Sequence, residues 1–196
     1  MEIEKAIRKQ KQSNNIFITT MLLLFFLLPI IVFLSGKTQF IFLLALIILE
    51  LLIVLGIIAN INNGALWFVC NNNRLKIKTG TFRNENLVLC DKVVLVHTEH
   101  CKEDMEIIVV TTVKVRNKYM KPIIEKNFLR KYPNVEAYYK KIRKVSSNNI
   151  YYYTAIKKGG LIKYKLLNVI YVNCVKASFT DDAIENIKIS RGQKKI

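Results

Sequence analysis

Two long apolar runs dominate the first third of the chain. Ile16 to Leu34 (IFITTMLLLFFLLPIIVFL) and Phe40 to Ala59 (FIFLLALIILELLIVLGIIA) are almost free of charge, and Ser35-Gly36-Lys37-Thr38-Gln39 separates them. The hydrocarbon core of a bilayer is about 30 Å thick and takes roughly 20 helical residues to cross. In lipid each backbone N–H and C=O must bond within its own segment. The pattern therefore predicts a transmembrane hairpin over residues 16–60, with helices near 16–34 and 40–59. The first run is too long for the apolar part of a signal peptide, and no small-x-small cleavage site follows it. Pro29 predicts a local kink, which membrane helices tolerate.

After Asn60 the pattern changes. Ala65 to Cys70 is a short apolar run, and Asn71-Asn72-Asn73 is a turn cluster. Arg74-Leu75-Lys76-Ile77-Lys78 alternates polar and apolar, the period of a half-buried strand. Thr79-Gly80 predicts a turn. Leu87 to Val96 predicts a strand, His97 to Asp104 a polar hairpin loop, and Glu106 to Val115 a β-branched strand. From Pro122 to Lys144 the apolar residues Ile123, Ile124, Phe128, Tyr132, Val135, Tyr138, Tyr139 and Ile142 fall at helical spacing. Pro133 should divide that helix, because an interior proline removes a backbone bond and clashes with the turn before it. Ser146 to Asn149 predicts a loop, Ile150 to Ile156 a strand and Lys157-Lys158-Gly159-Gly160 a turn. Leu161 to Ala177 has strand-like composition but helical spacing, and the spacing favours helix. Thr180-Asp181-Asp182-Ala183 is a helix start, with acids at the positive end of the dipole. A short helix should reach Ser190, and Arg191 to Ile196 should be a basic, frayed tail. The fold class expected is α+β.

The segment from Phe40 to Val115 resembles the bacterial pleckstrin-homology-like membrane proteins. In that family a strand–Gly–strand unit directly follows a membrane hairpin, as Asn73-Arg74-Leu75-Lys76-Ile77-Lys78-Thr79-Gly80-Thr81-Phe82 does here. The family's proline before the third strand is replaced by Val88-Leu89-Cys90-Asp91, and the chain after Val115 departs from the pattern. The resemblance implies a PH-like, membrane-anchored binding or scaffolding module without catalytic residues. Several such proteins act in cell-envelope stress or in self-protection against membrane-active peptides.

Charge adds orientation. The net charge is +17, which favours anionic partners. Lys5, Arg8, Lys9 and Lys11 precede the first run, only Lys37 lies between the runs, and Arg74, Lys76 and Lys78 follow the second. The positive-inside rule predicts a cytoplasmic basic tail over residues 1–15 and a basic cytoplasmic domain over residues 61–196. Candidate contacts to anionic lipid headgroups are Lys126, Arg130, Lys131, Lys140, Lys141, Arg143 and Lys144, on the polar face of the 122–144 helix. The bland reading of that helix is a cover for the preceding strands with its charges in water, and it is the favoured one. Tyr151 to Tyr153 and Tyr164, mixed with lysines, would be the residues to stack nucleic-acid bases.

Candidate chemistry is sparse. Glu50 sits inside the second apolar run, where a carboxylate costs about 2.5 to 3.5 kcal/mol on the insertion scale. It reads as a protonated acid bonded to a neighbouring carbonyl or hydroxyl, with Thr19 and Thr20 the nearest polar side chains in an antiparallel hairpin. The rival readings are a subunit contact or an ion site. Cys70, Cys90, Cys101 and Cys174 show no CxxC spacing and read as reduced, buried thiols. His97, Glu99, His100, Cys101, Glu103 and Asp104 are metal-type residues, but they form an incomplete, consecutive set. No nucleotide, hydrolase or metalloprotease motif is present, and no cofactor is expected. The function predicted is a non-enzymatic membrane adaptor or scaffold, partnered by the bilayer and by another protein or a second copy. The alternatives are a subunit of a secretion, conjugation or transport apparatus, or a membrane-tethered nucleic-acid-binding protein.

Overall fold

The computed structural model describes residues 2–36, 39–81, 85–100, 105–115, 119–145 and 150–195. It is an α+β architecture in which two long apolar helices precede a sheet-containing domain. Helix α1 runs Ile3–Leu34 and α2 runs Phe40–Gly64. Both are long and apolar enough to cross a membrane. Their apolar side chains face outward, most strongly near the hairpin tip, where Phe33, Leu34 and Phe40 are each more than three-quarters exposed. Bare apolar surface of this extent is the mark of a lipid or protein contact.

The 32 residues of α1 span about 48 Å at 1.5 Å per residue. That is well beyond the roughly 30 Å of hydrocarbon, and the surplus is the N-terminal stretch. Residues 3–15 are not a loose tail. They continue the helix, and Ile3 and Ala6 are buried in the core of the domain, with Ile7 packed beside them.

After α2 a single residue, Ala65, leads into β1 (Leu66–Asn71). With β2 (Arg74–Thr79) and β3 (Asn86–Leu89) it forms a three-stranded antiparallel sheet, order β1-β2-β3. The predicted alternation holds in β2, where Leu75 and Ile77 are buried while Arg74 and Lys76 are exposed. Asn72 and Asn73 both take positive φ, 49° and 60°. Two such residues make the tight hairpin turn whose twist suits the flanking strands.

The second sheet has five strands, order β6-β7-β5-β4-β8. Its members are β4 (Val93–Glu99), β5 (Glu106–Thr111), β6 (Lys121–Pro122), β7 (Tyr152–Ile156) and β8 (Ser178–Phe179). All neighbours are antiparallel except β4 and β8. That parallel pair needs a crossover, supplied by α5 (Ile162–Asn173), which spans most of the stretch whose composition and spacing conflicted. Helix α3 (Glu125–Lys131), a 3-10 turn at Pro133–Val135 and α4 (Glu136–Val145) cover one face, divided at Pro133 as predicted. Helices α5 and α6 (Asp181–Ser190), with the smaller sheet, cover the other. Thr180 caps α6, its hydroxyl accepting from the Ala183 N–H at 3.4 Å.

Two expectations are corrected. Leu87 to Val96 is not one strand, because a 3-10 turn at Cys90–Lys92 breaks it and sends β3 and β4 to different sheets. His97 is not in a loop. Strand β4 carries on to Glu99, and His97 is fully buried. The predicted loop at Ser146 to Asn149, and Cys101, Glu103 and Asp104, lie outside the described residues.

Candidate functional site

The domain meets the hairpin at the β7–α5 turn, Lys157-Lys158-Gly159-Gly160. Both glycines have positive φ, 115° and 50°, which side-chain-bearing residues rarely adopt. They are also crowded. A Cβ on Gly159 would lie 2.6 Å from the Leu66 side chain, and one on Gly160 would lie 2.6 Å from Gln10 Nε2. Backbone bonds fix the wedge: the Gly159 N–H donates to the Asn63 carbonyl at 2.9 Å, and the Leu161 N–H donates to Gln10 Oε1 at 2.9 Å. The turn is thereby tied to α2 through Asn63 and to α1 through Gln10. On the other side of α2, the Gly80 N–H donates to the Ala65 carbonyl at 2.7 Å, and the Thr81 N–H to Asn62 Oδ1 at 3.2 Å.

Around this joint lies a cleft of about 850 Å³, walled by Lys11, Asn14, Asn60, Asn63, Lys157 and Lys158 and reaching Ile18, near the start of the first apolar run, and Ile61, just past the end of the second. Three ammonium groups and several amides thus ring a cleft where the polar and apolar parts of both helices meet. Lys163 braces it from beneath. That side chain is 1% exposed, and its Nζ donates to the Lys157 carbonyl at 2.8 Å. Lys157 itself pairs with Glu106 at 3.2 Å. Glu106 also accepts from the Tyr132 hydroxyl at 2.6 Å, and burial followed by that bond pushes the Tyr132 phenol far above its ordinary range.

The predicted surface residues are distributed differently. Lys126, Arg130, Lys131, Lys140, Lys141, Arg143 and Lys144 are all exposed on α3 and α4. Lys140 is ion-paired to Glu136 and Arg143 to Glu125, while Lys141 lies over the Tyr138 ring at 5.9 Å. The apolar residues of these helices, Phe128, Tyr132, Val135 and Tyr139, are buried against the sheet. Tyr151 and Tyr164 are buried too, so neither offers a free face for a nucleic-acid base. Glu50 is half-buried in α2, and Thr19 and Thr20 are exposed.

His97 is held in place by neighbours on both ring nitrogens: Nδ1 is 2.9 Å from Thr180 Oγ1 and Nε2 is 3.2 Å from Glu99 Oε1. It ties β4 to the cap of α6. Among the described residues no His, Cys, Asp or Glu group has the arrangement of a metal site. Three cysteines scattered in sequence, Cys70, Cys90 and Cys174, do converge. Cys70 and Cys90 have sulfurs 3.8 Å apart, and Cys174 is close enough to Cys90 to feel it. Burial first, then the neighbouring thiol, pushes Cys70 up to about 11 and Cys174 further upward.

Sequence reading passed over Gln10, Asn63, Lys157, Lys158 and Lys163 as site residues. The one local signal was the Gly-Gly pair after two lysines, which reads equally well as an ordinary turn. Comparison of the chain with protein-family models, with characterised proteins and with solved structures finds no match to any of them.

Proposed function

We propose that the protein is a multi-pass, membrane-anchored and non-enzymatic adaptor. Its hairpin crosses the membrane with both ends in the cytoplasm and presses its basic domain against the anionic headgroups of that leaflet. The observation that carries this reading is the lysine-ringed cleft built jointly by α1, α2 and the β7–α5 turn. Each lysine held near an anionic leaflet contributes about 1 kcal/mol, and the hydrogen-bonded joint keeps Lys157 and Lys158 at the hairpin. The excess of lysine and arginine on the two segments flanking the hairpin supports the same orientation. The resemblance of residues 40–115 to PH-like membrane proteins points the same way.

The single tryptophan, Trp67, lies on β1 next to this joint and is half exposed, which makes it a reporter. In nanodiscs of mixed lipid, brominated phosphatidylglycerol should quench Trp67 more than brominated phosphatidylcholine does at the same mole fraction. Lys11→Gln combined with Lys158→Gln should erase the difference. Equal quenching by the two lipids in the wild-type chain would remove the anionic-leaflet reading. Reporter fusions at Gly36 and after Ile196 test the orientation, and an external C-terminus refutes it.

A further inference from the structure

Lys157 and Lys158 also line a second, smaller cavity on the far side of the turn. It measures about 290 Å³ and sits at the outer edge of the five-stranded sheet, where β7 passes the ends of β2 and β3. Lys121 and Lys131 complete a wall of four ammonium groups. Only Lys157 is matched by a carboxylate, Glu106. None of Lys121, Lys131 and Lys158 has an acidic partner among the described residues.

The floor is polar and buried. Thr79, Thr154 and Asn86 line it, at 5%, 3% and 6% exposure. Asn86 Oδ1 is buried without a hydrogen-bond partner among the described residues. An orphan of this kind costs about 1 to 3 kcal/mol and is rare in a folded protein unless something absent completes it. The amide can meet a ligand either way round, accepting from a hydroxyl through oxygen or, rotated, donating to an anion through nitrogen.

The strand edge contributes as well. Strand β6 pairs with β7 only at Tyr152 and Tyr153, and the Ile123 N–H donates to the Tyr151 carbonyl at 2.8 Å. Alternation along an antiparallel strand then turns the backbone of Tyr151, Tyr153 and Ala155 outward. Ala155 lines the cavity, and beyond Tyr153 no strand covers that edge among the described residues. Its N–H is a further donor, fixed by the sheet.

We propose that this cavity is a binding site for a phosphate ester of headgroup size. Lys121, Lys131 and Lys158 neutralise the phosphate, the Ala155 N–H and the buried threonine hydroxyls bond its oxygens, and Asn86 bonds either the phosphate or a ligand hydroxyl. Phosphate suits the site because it is a compact multi-acceptor anion that lysines bind as point charges. The volume lies at the small end of ligand pockets, which excludes a dinucleotide-sized ligand. The same chemistry is offered by a phospholipid headgroup or by a soluble sugar or glycerol phosphate.

The test uses the full chain in a phosphate-free maltoside detergent at fixed ionic strength. Glycerol 3-phosphate and short-chain phosphatidic acid are titrated separately by calorimetry, with sodium chloride as the blank. Saturable one-to-one binding of either probe is expected. Lys131→Gln should weaken it about tenfold, the value of one charge-assisted hydrogen bond, and Asn86→Leu should weaken it by a similar factor while leaving thermal stability equal or higher. Lys126→Gln, outside the cavity, should change nothing. Binding of the soluble ester alone assigns a metabolite-type ligand, and tighter binding of the lipid assigns a headgroup. No saturable binding of either probe overturns the proposal, as does an equal loss on Lys126→Gln, which would mean unspecific charge. Preference for anionic lipid in the Trp67 quenching measurement is independent of Asn86, so the two readings fail separately.

Discussion

On one face of the five-stranded sheet half of the buried side chains are rings; on the other they are mostly aliphatic chains and thiols. The ring face brings Phe128, Tyr132, Tyr139 and Tyr151 together with Leu95, Ile108 and Val110, and α3 and α4 close it off. The aliphatic face joins Val96, Ile107 and Val109 to Leu166, Leu167 and Ile170 of α5 and to Leu75 and Ile77 of the small sheet, and it continues without a break to Ile3 and Ala6 of α1. The pleat makes the separation: Ile107 and Val109 point one way, Ile108 and Val110 the other. The irregularity between Val93 and Leu95 lets β4 supply Val93 to the aliphatic face and both Val94 and Leu95 to the ring face. One face is therefore mechanically continuous with the apolar two-helix hairpin, while the other is a local cap.

The sharpest way to break this division is to damage the cap alone. Phe128 lies at the centre of the ring layer, with centroids 5.4 Å from Tyr132, 5.9 Å from Tyr139 and 4.9 Å from Tyr153. Phe128→Ala should cost about 3–5 kcal/mol, read as loss of tyrosine near-ultraviolet dichroism during denaturant titration in detergent. Trp67 emission should respond much less. A matching change in Trp67 at the same denaturant concentration would show that the two faces unfold as one unit.

Damage to the other face should travel toward the hairpin. Ala6 is 3% exposed where α1 enters the core. Ala6→Leu adds volume to a filled site, at about 1–3 kcal/mol. Because the docking of α1 sets the Gln10–Leu161 bond, the variant should also speed amide exchange at Leu161 and Ile162. Unchanged exchange there would mean that α1 and the turn are not coupled through the core.

A smaller effect is expected at Tyr132, which straddles the ring layer and the Glu106–Lys157 pair. Tyr132→Phe keeps the ring and removes the hydroxyl, so it should cost about 1 kcal/mol. Glu106 retains Lys157 at 3.2 Å, which limits the loss. A cost above that of Phe128→Ala would mean that the hydroxyl, not the ring, organises the cap.

The contrast also explains what was legible in the sequence. Elements whose partners lie close in the chain were readable: the two apolar helices, the Leu75 and Ile77 alternation, the break at Pro133, and α6 with its Thr180 cap. The predicted helix over residues 122–144 was right in burying Phe128, Tyr132, Val135 and Tyr139 and wrong for Ile124, which is exposed; it was also incomplete in its start, because Lys121 and Pro122 are drawn into the sheet by pairing with Tyr153 and Tyr152. His97 was misplaced because polarity was taken as exposure. Its burial depends on Thr180, distant in sequence, supplying a partner for the ring nitrogen. The joint was unreadable for the same reason, since Gln10 and Leu161 stand far apart in the chain. A polar helix start is indistinguishable from a tail until its partner is in view.

The smallest effect on stability, and the finest test of the two faces, concerns the three described thiols, which all lie on the aliphatic side. Cys90 and Cys174 are buried and Cys70 is partly so. Only the thiolate reacts with an alkylating agent, and burial disfavours the thiolate. In a Cys101→Ser background, labelling of the folded chain by iodoacetamide at pH 7 should be slow and confined to Cys70. The rate should climb as pH approaches the Cys70 value of about 11, raised from 9.0. The same shift sets a sign for stability. The folded state holds the thiol proton more tightly than the unfolded state does, so this contribution is complete below about pH 9 and declines as pH rises toward 11. Rapid labelling of Cys174 at neutral pH would show that the aliphatic face opens in the folded protein. The docking of α1 through Ile3 and Ala6 could then not be the rigid link between hairpin and domain that the contrast between the two faces implies.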